Sequence, residues 1–125
     1  MTLPRRSRLS GQTAFSRVFQ QATVSTDVSF KVLGRISNLA DSRLGMAVSR
    51  QVDKRAVQRN RLKRIIRESF RAHYLSAPRQ GSLDIVVLPR RQAVSMDNKQ
   101  LREQLSRHWH RIDERAKGAP PPQQA

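Results

Sequence analysis

The sequence predicts an α+β fold, a two-layer sandwich with three helices packed on a mainly antiparallel sheet of about four strands. Three observations carry that expectation. Apolar residues recur at spacings of three and four in separate stretches around Phe15, Leu62 and Leu105, which is the period of an amphipathic helix. Between these stretches the chain alternates apolar with polar residues, or runs continuously apolar from Leu83 to Leu88, as strands do. At 125 residues there is room for one compact core and little more.

Residues 1–10 are basic and contain Pro4, so they read as an extended arm that orders on binding. Arg5, Arg6, Arg8 and Arg17, with Ser7, Ser10 and Ser16 and no acid before Asp27, resemble an organellar transit peptide in composition. The packing pattern of Phe15, Val18 and Phe19 favours an arm followed by a helix. That helix is expected from Gln12 to Gln21, capped by Ser10 or Thr13. A short strand near Val24 and a longer one in which Val28, Phe30, Val32 and Gly34 alternate with Ser29, Lys31 and Leu33 come next. After the turn Asn38 to Ser42, Leu44, Met46 and Val48 alternate with Gly45, Ala47 and Ser49, and this strand is expected to pair with the preceding one as a hairpin.

The longest element is a helix from about Asp53, a plausible N-cap, to Ala77, where Pro78 stops it. Leu83 to Leu88, bounded by Gly81 and Pro89, is short enough to be a buried strand and is expected at the centre of the sheet. From Asp97 to about Arg115, Leu101, Leu105, His108, Trp109 and Ile112 mark a final helix. One domain is therefore expected over 11–115, between the arm at 1–10 and a disordered tail rich in proline and glutamine at 116–125.

Charge points to the partner. Lysine and arginine number 25 against nine acids, a net charge of +16, and the excess is mostly arginine. Arginine forms bidentate contacts with phosphate and stacks on bases, whereas an anionic membrane needs only charge density, so nucleic acid is the expected partner. No stretch approaches the roughly 18 apolar residues of a membrane span, and no membrane partner is expected. With no cysteine, disulfide scaffolds, thiol catalysis and thiolate metal sites are excluded. A reducing, cytoplasmic setting is expected.

From Lys54 to Arg71 eight basic residues (Lys54, Arg55, Arg59, Arg61, Lys63, Arg64, Arg67, Arg71) meet one acid, Glu68. At about 100° per residue, Leu62, Ile65, Ile66, Phe70 and Tyr74 fall on one side, and Asn60, Arg64, Arg67 and Arg71 on the other. A merely solvated helix interleaves acids for i,i+4 support, and this one does not. Asn60 adds a planar amide able to bond a base edge or a phosphate.

The run Arg59-Asn60-Arg61-Leu62-Lys63-Arg64-Ile65-Ile66-Arg67-Glu68-Ser69-Phe70-Arg71 closely resembles the signature helix of the bacterial ribonuclease P protein subunit. The resemblance extends to Arg8-Leu9 with Phe15, Val18 and Phe19, to Leu44-Gly45-Met46-Ala47-Val48-Ser49, and to Leu83-Asp84-Ile85-Val86-Val87, covering about residues 5 to 112 in order. It implies a fold like domain two of ribosomal protein S5 with a left-handed βαβ crossover, against the general right-handed rule. It also implies a role, binding the catalytic RNA of ribonuclease P and helping it remove the 5′ leader from precursor tRNA.

By that resemblance Arg59, Arg61 and Arg64, with Arg55 and Arg71, face the catalytic RNA. Asn60, Lys63 and Arg67 lie near the leader. Phe15 and Phe19 stand beside the sheet in a cleft for the single-stranded leader, where aromatic rings stack bases with little sequence demand; packing in the core is the alternative for both. Where several relatives place a tyrosine, this chain has Leu33. Phe30 and Trp109 read as core. His108 and His110 lack a carboxylate at ligand spacing, and His73 reads as structural.

No catalysis is expected in the chain itself. The nine acids lie in separate elements apart from Asp113 and Glu114, and there is no phosphate loop or nucleophile motif. The resemblance places Mg²⁺ in the RNA and substrate, and no small-molecule substrate is expected. Two other readings compete: a ribosomal or general RNA-binding structural protein, and a DNA-binding protein, which the lack of a helix-turn-helix or zipper pattern disfavours.

Overall fold

A computed structural model describes residues 3–37, 39–76 and 81–117. Helix α1 (Gln12–Gln20) is followed by strands β1 (Thr23–Thr26), β2 (Phe30–Ser37) and β3 (Arg43–Met46), then helix α2 (Ala56–Phe70). Strand β4 (Ser82–Pro89) and helix α3 (Asn98–Lys117) complete the domain. The strands form one sheet in the order β1-β2-β4-β3.

The expected hairpin between β2 and β3 does not form. β4 lies between them, antiparallel to β2 (Val32 opposite Val87) and parallel to β3 (Leu44 opposite Ile85). The reason is hydrophobic. β4 carries the longest run of large apolar residues, with Leu83, Ile85 and Val87 on one face and Val86 and Leu88 on the other, so a central place removes most apolar surface from water. Alternation within β2 and β3 carries no information about which strand each one meets. β4 does take the central position expected of it.

The sheet is covered on both sides. Phe30, Val32, Leu44, Ile85 and Val87 pack against Leu62, Ile65, Ile66 and Phe70 of α2 and Leu101, Leu105, Trp109 and Ile112 of α3. On the other face Leu33 and Val86 pack against Leu9 and Val18, with Ala14 and Phe15 beside them. The three helices therefore share one four-stranded sheet, α2 and α3 on one face and α1 on the other. Phe30 and Trp109 are core, as expected.

Several boundaries shift for local reasons. Residues 3–10 are not a free arm: Leu3, Ser7 and Leu9 are buried, and the Leu9 N–H donates to the Leu44 carbonyl at 2.9 Å, so the segment covers the exposed edge of β3. The first helix is capped by Gly11, at φ 89°, and neither Ser10 nor Thr13 makes a cap hydrogen bond. β2 starts at Phe30 rather than Val28, because Oδ1 of Asp27 accepts the N–H groups of Ser29 and Phe30 and makes the corner a turn.

α2 begins three residues after Asp53. That carboxylate accepts the Arg55 N–H at 2.7 Å and shapes the turn before the helix instead of capping it. α2 passes into a single π turn at Arg71–Leu75 in which Tyr74 is buried. The expected end at Ala77 and the Pro78 stop lie outside the described residues. α3 opens with reciprocal bonds between Asp97 and Gln100, each backbone N–H donating to the other's side chain. Its last turn takes in Ala116 and Lys117, expected in the tail, because Ala116 extends the apolar stripe and is buried. The rest of the expected tail is outside the described residues. Among the described residues no helix is long and apolar enough to cross a membrane.

Candidate nucleic-acid interface

α2 buries Leu62, Ile65, Ile66 and Phe70 and turns its cations outward, so the two faces read from the sequence are present. Asn60 is exposed, and the Arg64 side chain is 58 % exposed with only a 3.9 Å contact to Glu68. Lys63, Arg67 and Arg71 are half-buried. Arg55 is exposed and bound to Asp53 through Nη2 at 2.9 Å. The Arg55 side chain and N–H, helped by the charges of Arg55 and Arg59, draw the Asp53 carboxyl down to about 2 against slight burial.

Two of the expected RNA-facing arginines are engaged inside the protein. Nη1 of Arg59 donates to the Asp53 and Lys54 carbonyls at 3.0 and 2.8 Å, closing the turn ahead of α2. The Arg61 fork is occupied on every arm: Nε to Gln58, Nη1 to the Met96 carbonyl and to Asn98, and Nη2 to the Val94 carbonyl at 2.9 Å. It ties α2 to the segment that leads into α3. The polar residues at the start of the helix thus divide into Arg59 and Arg61, which set it in place, and Asn60, Lys63 and Arg64, which it presents.

The second surface lies on the opposite face of the sheet. Phe15 sits over Gly45 so closely that a Cβ there would come within 2.6 Å of the ring's Cζ, and Gly45 is what lets the ring lie against β3. One helical turn on, Phe19 is 48 % exposed. The two rings, alike in sequence pattern, have different settings, Phe15 half-packed and Phe19 facing out. Leu33 is buried beneath α1.

The carboxylates are dispersed, and several are committed. Asp84 holds Arg43 through two bonds at 2.8 and 2.6 Å, Asp41 meets Arg6 at 3.3 Å, and Asp113 meets His73 at 2.7 Å and the Tyr74 hydroxyl at 3.1 Å. His73 is structural, as expected.

A buried constellation has no counterpart in the sequence pattern. Oγ of Ser25 on β1 lies 2.8 Å from Nδ1 of His108 on α3, and Oδ2 of Asp27 lies 2.9 Å from Nε2 without hydrogen-bond alignment. Serine, histidine and carboxylate meet here as in a hydrolase, but Ser25 and His108 are fully buried and no substrate can reach the hydroxyl. The group pins β1 to α3. Burial pushes the His108 pKa down, with Arg111 adding to the effect and Asp27 opposing it. Burial likewise opposes ionisation of Asp27, but the Ser29 hydroxyl, the N–H groups of Phe30 and Ser29, and His108 outweigh it and hold that carboxyl below its ordinary value. No local pattern signals this meeting, since Ser25 and His108 are 83 positions apart.

A cationic helix on one face of the sheet and a half-open aromatic surface on the other, in a small α+β domain, define an RNA-binding protein. The family model for Ribonuclease P matches residues 3–113. The chain is 40 % identical over 119 residues to the ribonuclease P protein component of Methylococcus capsulatus, covering 95 % of this chain and 91 % of that one. It is 40 % identical over 111 residues to the component from Pectobacterium atrosepticum, covering 89 % and 91 %. Among solved structures, the ribonuclease P protein of Staphylococcus aureus superposes with a TM-score of 0.73 at 30 % identity, over 83 % of this chain and 93 % of that one. That of Thermotoga maritima gives 0.67 at 35 %, over 80 % and 92 %.

The chain belongs to this family, that of the protein subunit of ribonuclease P, and so takes part in an endoribonuclease complex that processes tRNA. Nothing in the fold or the comparisons favours a ribosomal, general RNA-binding or DNA-binding role instead.

Proposed function

We propose that the outward face of α2, with Asn60, Lys63, Arg64 and Arg67, and with Arg71 in the π turn that follows, docks on the catalytic RNA and the substrate near the cleavage site. In this reading Phe15 and Phe19 hold the 5′ leader of precursor tRNA on the other face of the sheet. Arg55 and Arg59 add to the field at the start of the helix, and Arg59 keeps Nε and Nη2 without a protein partner among the described residues. Arg61 acts by fixing the helix. The observation that carries the reading is the separation of roles on α2: the apolar side is buried, Arg59 and Arg61 hold the helix, and Asn60 and Arg64 are exposed beside the half-buried Lys63 and Arg67, with Glu68 as the helix's single acid.

Hydrolysis belongs to the RNA in this reading. Mg²⁺ needs several converging oxygen ligands. Among the described residues no three histidine, aspartate or glutamate side chains converge to hold a metal, and Asp27, Asp41, Asp53, Asp84 and Asp113 are each engaged by donors of the protein. The described residues offer no such ligand set, and in this reading the ion is held by phosphate oxygens of the RNA and the substrate. The chain contributes positioning and offsets phosphate repulsion. Its RNA partners also set its working place in the cytoplasm.

Reconstitution tests the proposal. Mixed with its cognate catalytic RNA at low Mg²⁺, the protein is expected to raise the rate of precursor-tRNA cleavage over RNA alone. An unchanged rate would overturn it.

A further inference from the structure

A cavity of about 390 Å³ opens where the N-terminal segment, β3 and α2 meet. Its size lies in the range of small-ligand sites, roughly 300–1,000 Å³. Leu9, Leu44 and Met46 supply apolar wall, and Arg8, Ser10 and Arg67 supply polar groups. Nε of Arg67 is buried and has no hydrogen-bond partner among the described residues. A buried donor of this kind calls for an acceptor. Arg8 is held in place by its own Nε, which donates to the Leu3 carbonyl at 3.0 Å.

We propose that this cavity receives a single unpaired nucleotide of the catalytic RNA. The inference rests on the docking role given to α2 above and names where, within that docking, one base is recognised. Two guanidinium groups beside an apolar wall match the two halves of a nucleotide: planar forks for the phosphate, and a flat dry surface for the base. The Ser10 hydroxyl at the mouth can donate to or accept from a base edge. Arg64 and Arg71 stand one turn to either side of Arg67, so an anion in the cavity continues along the cationic stripe as a polymer and not as a free small molecule.

The charged groups come from α2 and the N-terminal segment, while Phe15 lies over Gly45 from the α1 side. This arrangement favours the RNA docked on α2 over the leader. It also answers a need that charge leaves open. A stripe of arginines attracts any RNA backbone, but a pocket for one extruded base sets the register of docking.

The test uses the full chain and its cognate catalytic RNA without substrate, with Kd measured across a salt series. Arg67→Lys keeps the charge and loses the planar fork. Ser10→Trp blocks the mouth at an exposed position and leaves the core untouched. Each is expected to weaken binding about tenfold or more, the worth of one stacked base, with the salt slope and the melting temperature unchanged. Chemical probing of the RNA is expected to show one unpaired nucleotide protected by the parent protein and exposed with Ser10→Trp.

Unchanged Kd in both variants overturns the proposal. So does unchanged Kd accompanied, in a parallel cleavage assay of the same variants, by lost discrimination between substrates with and without a leader, which would make the leader the occupant. Failure of the docking reading shows separately, as a parent protein that does not stimulate cleavage at all.

Discussion

Arg61 and Arg64 are three residues apart on one helix and do opposite work. Arg64 projects into solvent, so Arg64→Ala is expected to weaken catalytic-RNA binding, lower the slope of log K against log salt by about one, and leave the melting temperature unchanged. Arg61→Ala strips partners from the Val94 and Met96 carbonyls and the Asn98 amide. It is expected to cost roughly 1–3 kcal/mol of stability, seen as a drop of several degrees in thermal melting, with any loss of binding following from the loosened helix. If Arg61→Ala melts like the parent, the structural assignment is wrong. The tripeptide Arg59-Asn60-Arg61 is legible as a motif in the sequence. Which arginine turns inward is not, because three of the four acceptors for Arg61 lie 33 to 37 positions further on and only the fold brings them near.

At the scale of elements, β1 is held to α3 through His108, and that contact depends on pH. His108 is pushed below its ordinary value by burial, so the unfolded chain takes up a proton near pH 6.5 while the folded chain resists it. The stabilisation is therefore complete above about 6.5 and is lost as the pH falls through the depressed folded value. Asp27, also depressed, contributes above its ordinary 3.8 and does not titrate in this window. Melting temperature is expected to fall between pH 7.5 and pH 5, and His108→Gln is expected to flatten that fall. A parent protein with a flat profile would rule out the pin. Helical and strand periodicity located these elements well, since α1, α2, β4 and α3 each have a strong apolar pattern of their own. The separation of β2 from β3 by β4 is not legible for the converse reason: a strand's own alternation does not reveal its neighbour.

Across the whole molecule, the net charge of +16 is carried by one small chain in which Asp41, Asp53 and Asp84 are already paired. Self-repulsion therefore weakens the folded state in dilute salt, and ions that screen or bind it should restore stability. Melting temperature is expected to rise with sodium chloride, and to rise further with sodium sulfate at matched ionic strength, because a divalent anion can be bound between arginines. A melting temperature that falls with salt would show that repulsion is not limiting. The same field gives binding its reach, while the aromatic surface and the cavity beside Arg67 determine what is bound.

The sequence by itself determined the fold class, the one strongly cationic helix, the central strand and, through the extended signature around Arg59-Asn60-Arg61, the family. These are properties of composition and local period, which a chain carries before it folds. Only the tertiary structure decided that residues 3–10 close the edge of β3, that Arg61 braces α2 while Arg64 faces outward, and that Phe15 and Phe19 differ in exposure. It alone also brought Ser25, Asp27 and His108 together, and Arg8 to Arg67. Each of these is a meeting of residues far apart in sequence, and such meetings follow from which surfaces the sheet buries, a choice made collectively by the core and not by any segment within it.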